Sequence, residues 1–108
     1  MMNDMSTRKC QPLDGGQPMS DAEVQSHLAA APGWALKQGA IEKTYRFRNY
    51  HETMAFVNAL AWIAHAEDHH PDLLVKYDSC QVRFNTHSVG GISVNDFICA
   101  AKVDRLLA

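Results

Sequence analysis

The sequence predicts an α+β domain in which three helices pack on one face of a four-stranded antiparallel sheet, in the order α-β-β-α-β-β-α. Three observations carry this prediction. Two pairs of short segments rich in β-branched and aromatic residues are each interrupted by turn-forming residues. Three other stretches open on a helix-capping residue. The length, 108 residues, suits one hydrophobic core and leaves no room for a second.

Residues 1–19 contain Pro12, Gly15, Gly16 and Pro18 without hydrophobic periodicity, so they read as a flexible N-terminal tail before a single domain over 20–108. Ser20-Asp21-Ala22-Glu23 is a capping-box pattern, and Val24, Leu28 and Ala31 follow at helical spacing until Pro32-Gly33. Trp34 to Lys37 and Ile41 to Phe47 then read as a hairpin, because Gly39 between them can take the positive φ of a tight turn. Asn49 to Glu52 repeats the capping logic. Met54, Val57, Leu60, Ala61 and Ala64 make the apolar stripe of a long central helix running to about Asp68.

Pro71 forbids continuation of that helix and biases His70 toward extended geometry. Leu73 to Tyr77 and Cys80 to Phe84 alternate with period two around Asp78-Ser79. A hairpin centred there pairs Tyr77 with Cys80, Val75 with Val82 and Leu73 with Phe84, and at its frayed end sets His70 opposite His87. After Gly90-Gly91, Ser93-Val94-Asn95-Asp96 opens the last helix.

Composition narrows the function. A formal charge of −2 and a pI near 6.3 provide no positive field for a phosphate backbone, so nucleic acid is not an expected partner. Cys10, Cys80 and Cys99 are odd in number and form no Cys-x-x-Cys pair, which fits neither a disulfide framework nor a thiolate zinc site and points to a reducing cytosol. The first eleven residues have no apolar signal region. Ala55 to Ala66 is short and broken by Asn58 and His65, so neither secretion nor a membrane span is expected.

Histidine is the conspicuous residue: six are present, and His65, His69, His70 and His87 fall close together. The predicted register gathers His69, His70 and His87 at one sheet end, and imidazole suits proton transfer in both directions near neutral pH. Covalent catalysis is disfavoured, because Cys80 should point to the core and Ser88 lies in no nucleophile elbow. Structural roles compete for some of these residues. A His pair before proline also suits a helix C-terminus, Asp96 is the N3 residue of the Ser93 capping box, and Asp68 also reads as a surface charge. Metal is the rival chemistry, since His65 and His69 have the four-residue spacing that sets two imidazoles on one ion, with His87 as a third ligand. His-Glu-x-x-His and cysteine thiolates are both lacking, so no metal is assigned. His27 and His51 read as solvated surface residues.

His69-His70-Pro71, Tyr77, His87 and Asp96 have residue types and spacings that resemble the pterin-4a-carbinolamine dehydratases. The wider likeness runs from about Ser20 to Leu107 and includes Trp34, Phe47-Arg48-Asn49, Asp68 and Asn85-Thr86-His87. Position 65, often acidic in such proteins, is His65 here, and Leu73 stands where many have Trp.

The resemblance implies an α+β fold of four antiparallel strands and three helices, a homodimer or homotetramer, and no cofactor. It implies a pterin substrate, 4a-hydroxytetrahydrobiopterin, dehydrated to quinonoid dihydropterin in the recycling of tetrahydrobiopterin. By the same resemblance, pterin contacts fall on Asp68, His69, His70, Asn85, Thr86 and His87. His69 and His87 are then the acid-base pair, either one the acid, and His70 binds or orients the ring. Asp96 supports them by holding a histidine tautomer or serves only as the helix cap. Two further functions stand as alternatives: a protein-binding module acting as a transcription-factor dimerisation cofactor, and a dehydratase of molybdopterin metabolism.

Overall fold

A computed structural model describes residues 4–13 and 15–108. Its main elements are α1 (Asp21–Ala29), β1 (Ala35–Lys37), β2 (Ala40–Arg46), α2 (Tyr50–Glu67), β3 (Asp72–Val75), β4 (Ser79–Phe84) and α3 (Val94–Arg105). Short 3₁₀ turns at Met5–Thr7 and His87–Val89 complete the described elements. The order is the predicted α-β-β-α-β-β-α. All neighbouring strands are antiparallel, and the sheet runs β1-β2-β4-β3.

Local chemistry explains the helix starts. Ser20 and Glu23 make both halves of a capping box at α1, as do Ser93 and Asp96 at α3. At α2 only half is made. Asn49 Oδ1 accepts from Glu52 N–H at 2.9 Å, whereas Glu52 turns outward to accept from Arg48, main chain and guanidinium alike. The first hairpin turns through Gln38 at φ 49° and Gly39 at φ 81°, the doubly positive pair of a two-residue turn whose twist matches the strands.

The second hairpin differs from the predicted register. Leu73 lies opposite Val82 and Val75 opposite Cys80, so the turn centres on Tyr77-Asp78 rather than Asp78-Ser79. The cause is tertiary. Thr53 Oγ1 of α2 donates to the Tyr77 carbonyl at 3.0 Å, and Phe47 N–H donates to the Asp78 carbonyl at 2.8 Å. Those bonds fix the turn one residue earlier and leave Tyr77 64% exposed instead of in the core. Side-chain parity survives, so Leu73, Val75, Cys80, Val82 and Phe84 still face one way. The predicted His70 to His87 pairing does not.

One face of the sheet meets all three helices. Ile41, Tyr45, Val82 and Phe84 pack with Val24 of α1, Phe56 and Leu60 of α2, and Phe97 and Val103 of α3. Trp34, expected in the first strand, sits just before it, buried, with its indole N–H donated to Asp104 Oδ2 at 3.1 Å. The opposite face carries Glu42, Thr44, Gln81 and Arg83, with Glu42 bonded to Arg83 and Gln81.

Residues 4–13, assigned from sequence to a flexible tail, make defined polar contacts with the domain. Cys10 N–H donates to Glu67, the Gln11 backbone pairs with the Asn95 side chain, and Lys102 donates to the Ser6 carbonyl.

Candidate functional site

Three chain ends meet beneath the histidine pair: the C-terminus of α2, the loop after β4 and the N-terminus of α3. Asp68 ends α2 in the left-handed region at φ 50°, and His69 N–H then bonds back to the Ala64 carbonyl at 3.1 Å. The reversal lifts His69 off the helix axis and lays its ring over Phe84, with centroids 5.9 Å apart and planes within 7°. The helical spacing that would set His65 and His69 on one metal therefore ends at Asp68. His65 remains on the exposed helix beside Trp62.

Asp96 organises the site. Its side chain is fully buried and accepts three hydrogen bonds from separate segments. Oδ1 receives His69 Nε2 at 2.6 Å, while Oδ2 receives the Thr86 hydroxyl at 2.8 Å and the Ser93 N–H at 2.9 Å. Because the Thr86 proton is committed to Asp96, the 2.6 Å contact between Thr86 and Ser93 hydroxyls has Ser93 as donor. Among the described residues no buried side-chain N or O atom is left without a partner, so this network closes. A carboxylate that accepts from Nε2–H assigns the His69 tautomer and leaves Nδ1 as the ring nitrogen open to proton exchange.

The structure treats the expected site residues unequally. His69 is mostly buried, with 12% of its side chain exposed, and Thr86 and Asp96 are buried. Asp68, His70, Asn85 and His87 are exposed around them. The segments 68–70 and 85–87 are joined, but through Asp96 rather than by the strand ladder beyond Pro71. Two hydrogen bonds lead from His69 through Asp96 to Thr86, the residue before His87. Thr86 is itself fixed by a bridge to Gly91, with Thr86 N–H donating to the Gly91 carbonyl at 2.8 Å. His87 therefore stands at the start of a closed loop, in a 3₁₀ turn ending at Gly90 with φ 73°.

Sequence reasoning missed Ser93 as a network member and Phe84 as the platform under His69. The Ser93-x-x-Asp96 box was the available signal for the first, and the core-facing parity of Phe84 for the second. A groove of about 440 Å³ lies elsewhere, lined by Phe47, Ala55, Phe56, Ala59, Leu106 and Leu107 with Glu52, and shares no residue with the histidine site.

The family model described as pterin 4 alpha carbinolamine dehydratase matches residues 17–106. The chain belongs to that family. A Nitrosomonas eutropha protein, provisionally named a pterin-4-alpha-carbinolamine dehydratase, is 52% identical over 106 residues, covering 96% of this chain and 94% of its own. A Chromobacterium violaceum protein with the same provisional name is 55% identical over 97 residues, 90% of each chain. The crystal structure of a transcriptional coactivator/pterin dehydratase from Brucella melitensis superposes with a TM-score of 0.81 at 26% identity, covering 85% of this chain and all of that one. The Brucella melitensis structure shares the fold built above, and no described helix is long and apolar enough to cross a membrane.

Proposed function

We propose that this member of the pterin-4a-carbinolamine dehydratase family eliminates water from 4a-hydroxytetrahydrobiopterin by histidine general acid-base catalysis. The observation that carries the reading is the Asp96 carboxylate, which ties His69 to the segment that presents His87. In the reaction the C4a–O bond breaks as a proton joins the departing hydroxyl, N5 loses its proton, and a C4a–N5 double bond forms. The product is quinonoid dihydropterin, with water released and no change of oxidation state. His69, oriented through Nε2 and open at Nδ1, and His87 are the two proton-transfer groups. His70, with Asp68, Asn85 and Thr86, holds and orients the pterin.

A cytosolic setting and self-association as a homodimer or homotetramer complete the reading. Three free cysteines support the first, and an α2 surface with Trp62 71% exposed supports the second. A coactivator-like binding role is the second reading, favoured by the structural likeness to the Brucella melitensis transcriptional coactivator/pterin dehydratase.

The test generates the carbinolamine in situ with a phenylalanine hydroxylase and follows its decay by ultraviolet absorbance, with and without EDTA. Wild type accelerates decay regardless of chelator, and His69→Ala and His87→Ala each lose about 10²- to 10⁴-fold while remaining folded. A folded wild type without acceleration sinks the dehydratase reading and leaves the binding role. Sensitivity to EDTA overturns the metal-free mechanism.

A further inference from the structure

The N-terminal segment straps together the two helix ends that form the histidine site. Cys10 N–H donates to Glu67 Oε1 at 2.9 Å, and Glu67 closes α2 two residues before His69. Gln11 pairs twice with Asn95, its N–H with Oδ1 at 3.1 Å and its carbonyl with Nδ2 at 2.7 Å, beside Asp96. At the centre of this strap Cys10 Sγ lies 3.5 Å from Cys99 Sγ. Cys99 is fully buried on α3, one turn after Asp96, whereas Cys10 is partly exposed.

We propose that Cys10 and Cys99 form a thiol-oxidation site that takes a hydroperoxide and closes to a disulfide, fastening the strap to the helix that carries Asp96. The sulfurs are already in contact, and a bond of about 2.05 Å needs an approach of only about 1.5 Å. Cys10 packs only partly buried against the core, on a segment outside the main helices and strands, so the approach is made from its side. Cys10 is the sulfur that meets oxidant. The Cys99 thiol is pushed well above its ordinary range by its hydrogen bond to Cys10, by burial and by the nearby carboxylates of Glu67 and Asp96.

The chemistry balances. Cys10 gives up its proton as its sulfur attacks a peroxide oxygen, the O–O bond breaks, and Cys10 becomes a sulfenic acid while the leaving hydroxide takes up that proton and departs as water. The Cys99 sulfur then attacks the Cys10 sulfur, and its proton leaves with the displaced hydroxyl as a second water. Two thiols are oxidised and one hydrogen peroxide is reduced. Cys80, buried on β4, takes no part.

The experiment treats the full chain with hydrogen peroxide, counts thiols after denaturation, and maps the non-reduced peptides. Thiols fall from three to one, the mass drops by two hydrogens within one chain, and the Cys10–Cys99 peptide appears and vanishes on reduction. Cys10→Ser, a near-isosteric change at a partly buried position, retains both of its thiols in the same treatment. Exchange of the Cys10 and Gln11 amides slows at least about tenfold in the oxidised protein, as fastening requires. Three persisting thiols, over-oxidised Cys10 without a crosslink, a bond through Cys80 or between chains, or a crosslink that leaves exchange unchanged each overturn the proposal.

Discussion

Asp96 occupies the position where a capping box and a histidine-orienting carboxylate coincide. Its Oδ2 satisfies the Ser93 N–H as any N3 acid does, and its Oδ1 is thereby free for His69 Nε2. Structural and functional readings of this residue are therefore two oxygens of one group. Asp96→Asn preserves shape but turns an amide N–H toward one of three donors. We expect a stability loss of about 1–3 kcal/mol by urea titration, from a buried donor left unpaired. We also expect kcat for carbinolamine dehydration to fall about 10²-fold with the circular dichroism spectrum unchanged, because His69 loses its fixed tautomer. Wild-type stability in the variant contradicts the bonding assigned here, and wild-type kcat contradicts the orienting role.

At the scale of the element, the turn between β3 and β4 shows a distant helix setting a local register. Thr53 is fully buried on α2, and its hydroxyl lies 3.0 Å from both the Asn49 and Tyr77 carbonyls. Thr53→Val keeps the volume and removes the donor, so the Tyr77 carbonyl loses its partner. A loss of about 1–2 kcal/mol in urea denaturation follows, with the Leu73 to Val82 pairing retained in cross-strand NMR contacts because the Phe47 N–H still holds the Asp78 carbonyl. An unchanged midpoint removes Thr53 from the cause of the register. Asp78-Ser79 has ordinary turn chemistry in the sequence, and nothing local there reveals that α2 supplies a hydroxyl to the preceding carbonyl. The helix starts, in contrast, were legible because capping is local: Ser20, Asn49 and Ser93 each bond within three residues. The strap was illegible for the opposite reason. Its anchors are backbone groups of Cys10 and Gln11 meeting Glu67 and Asn95, and such contacts leave no periodicity in residues 4–13.

At the scale of the molecule, a single core sets the site. Helices and sheet pack through one face, and α2, β4 and α3 all bring their ends to Asp96. The histidine cluster was legible as a composition signal, and His69, His70 and His87 fall on the joined segments while His65 stays on α2. Its geometry was not, because the joining group is a buried carboxylate 27 residues away from His69 rather than a strand pairing. The central claim is that the pterin lies over the segments Asp96 unites. Imidazole carbon-proton NMR spectra during titration with 7,8-dihydrobiopterin test it most directly, since all six histidines report separately. The account predicts saturable shifts of His69, His70 and His87 while His27 and His51 stay in place. Shifts confined to His27 or His51, or none at pterin concentrations that saturate the dehydration rate, contradict it.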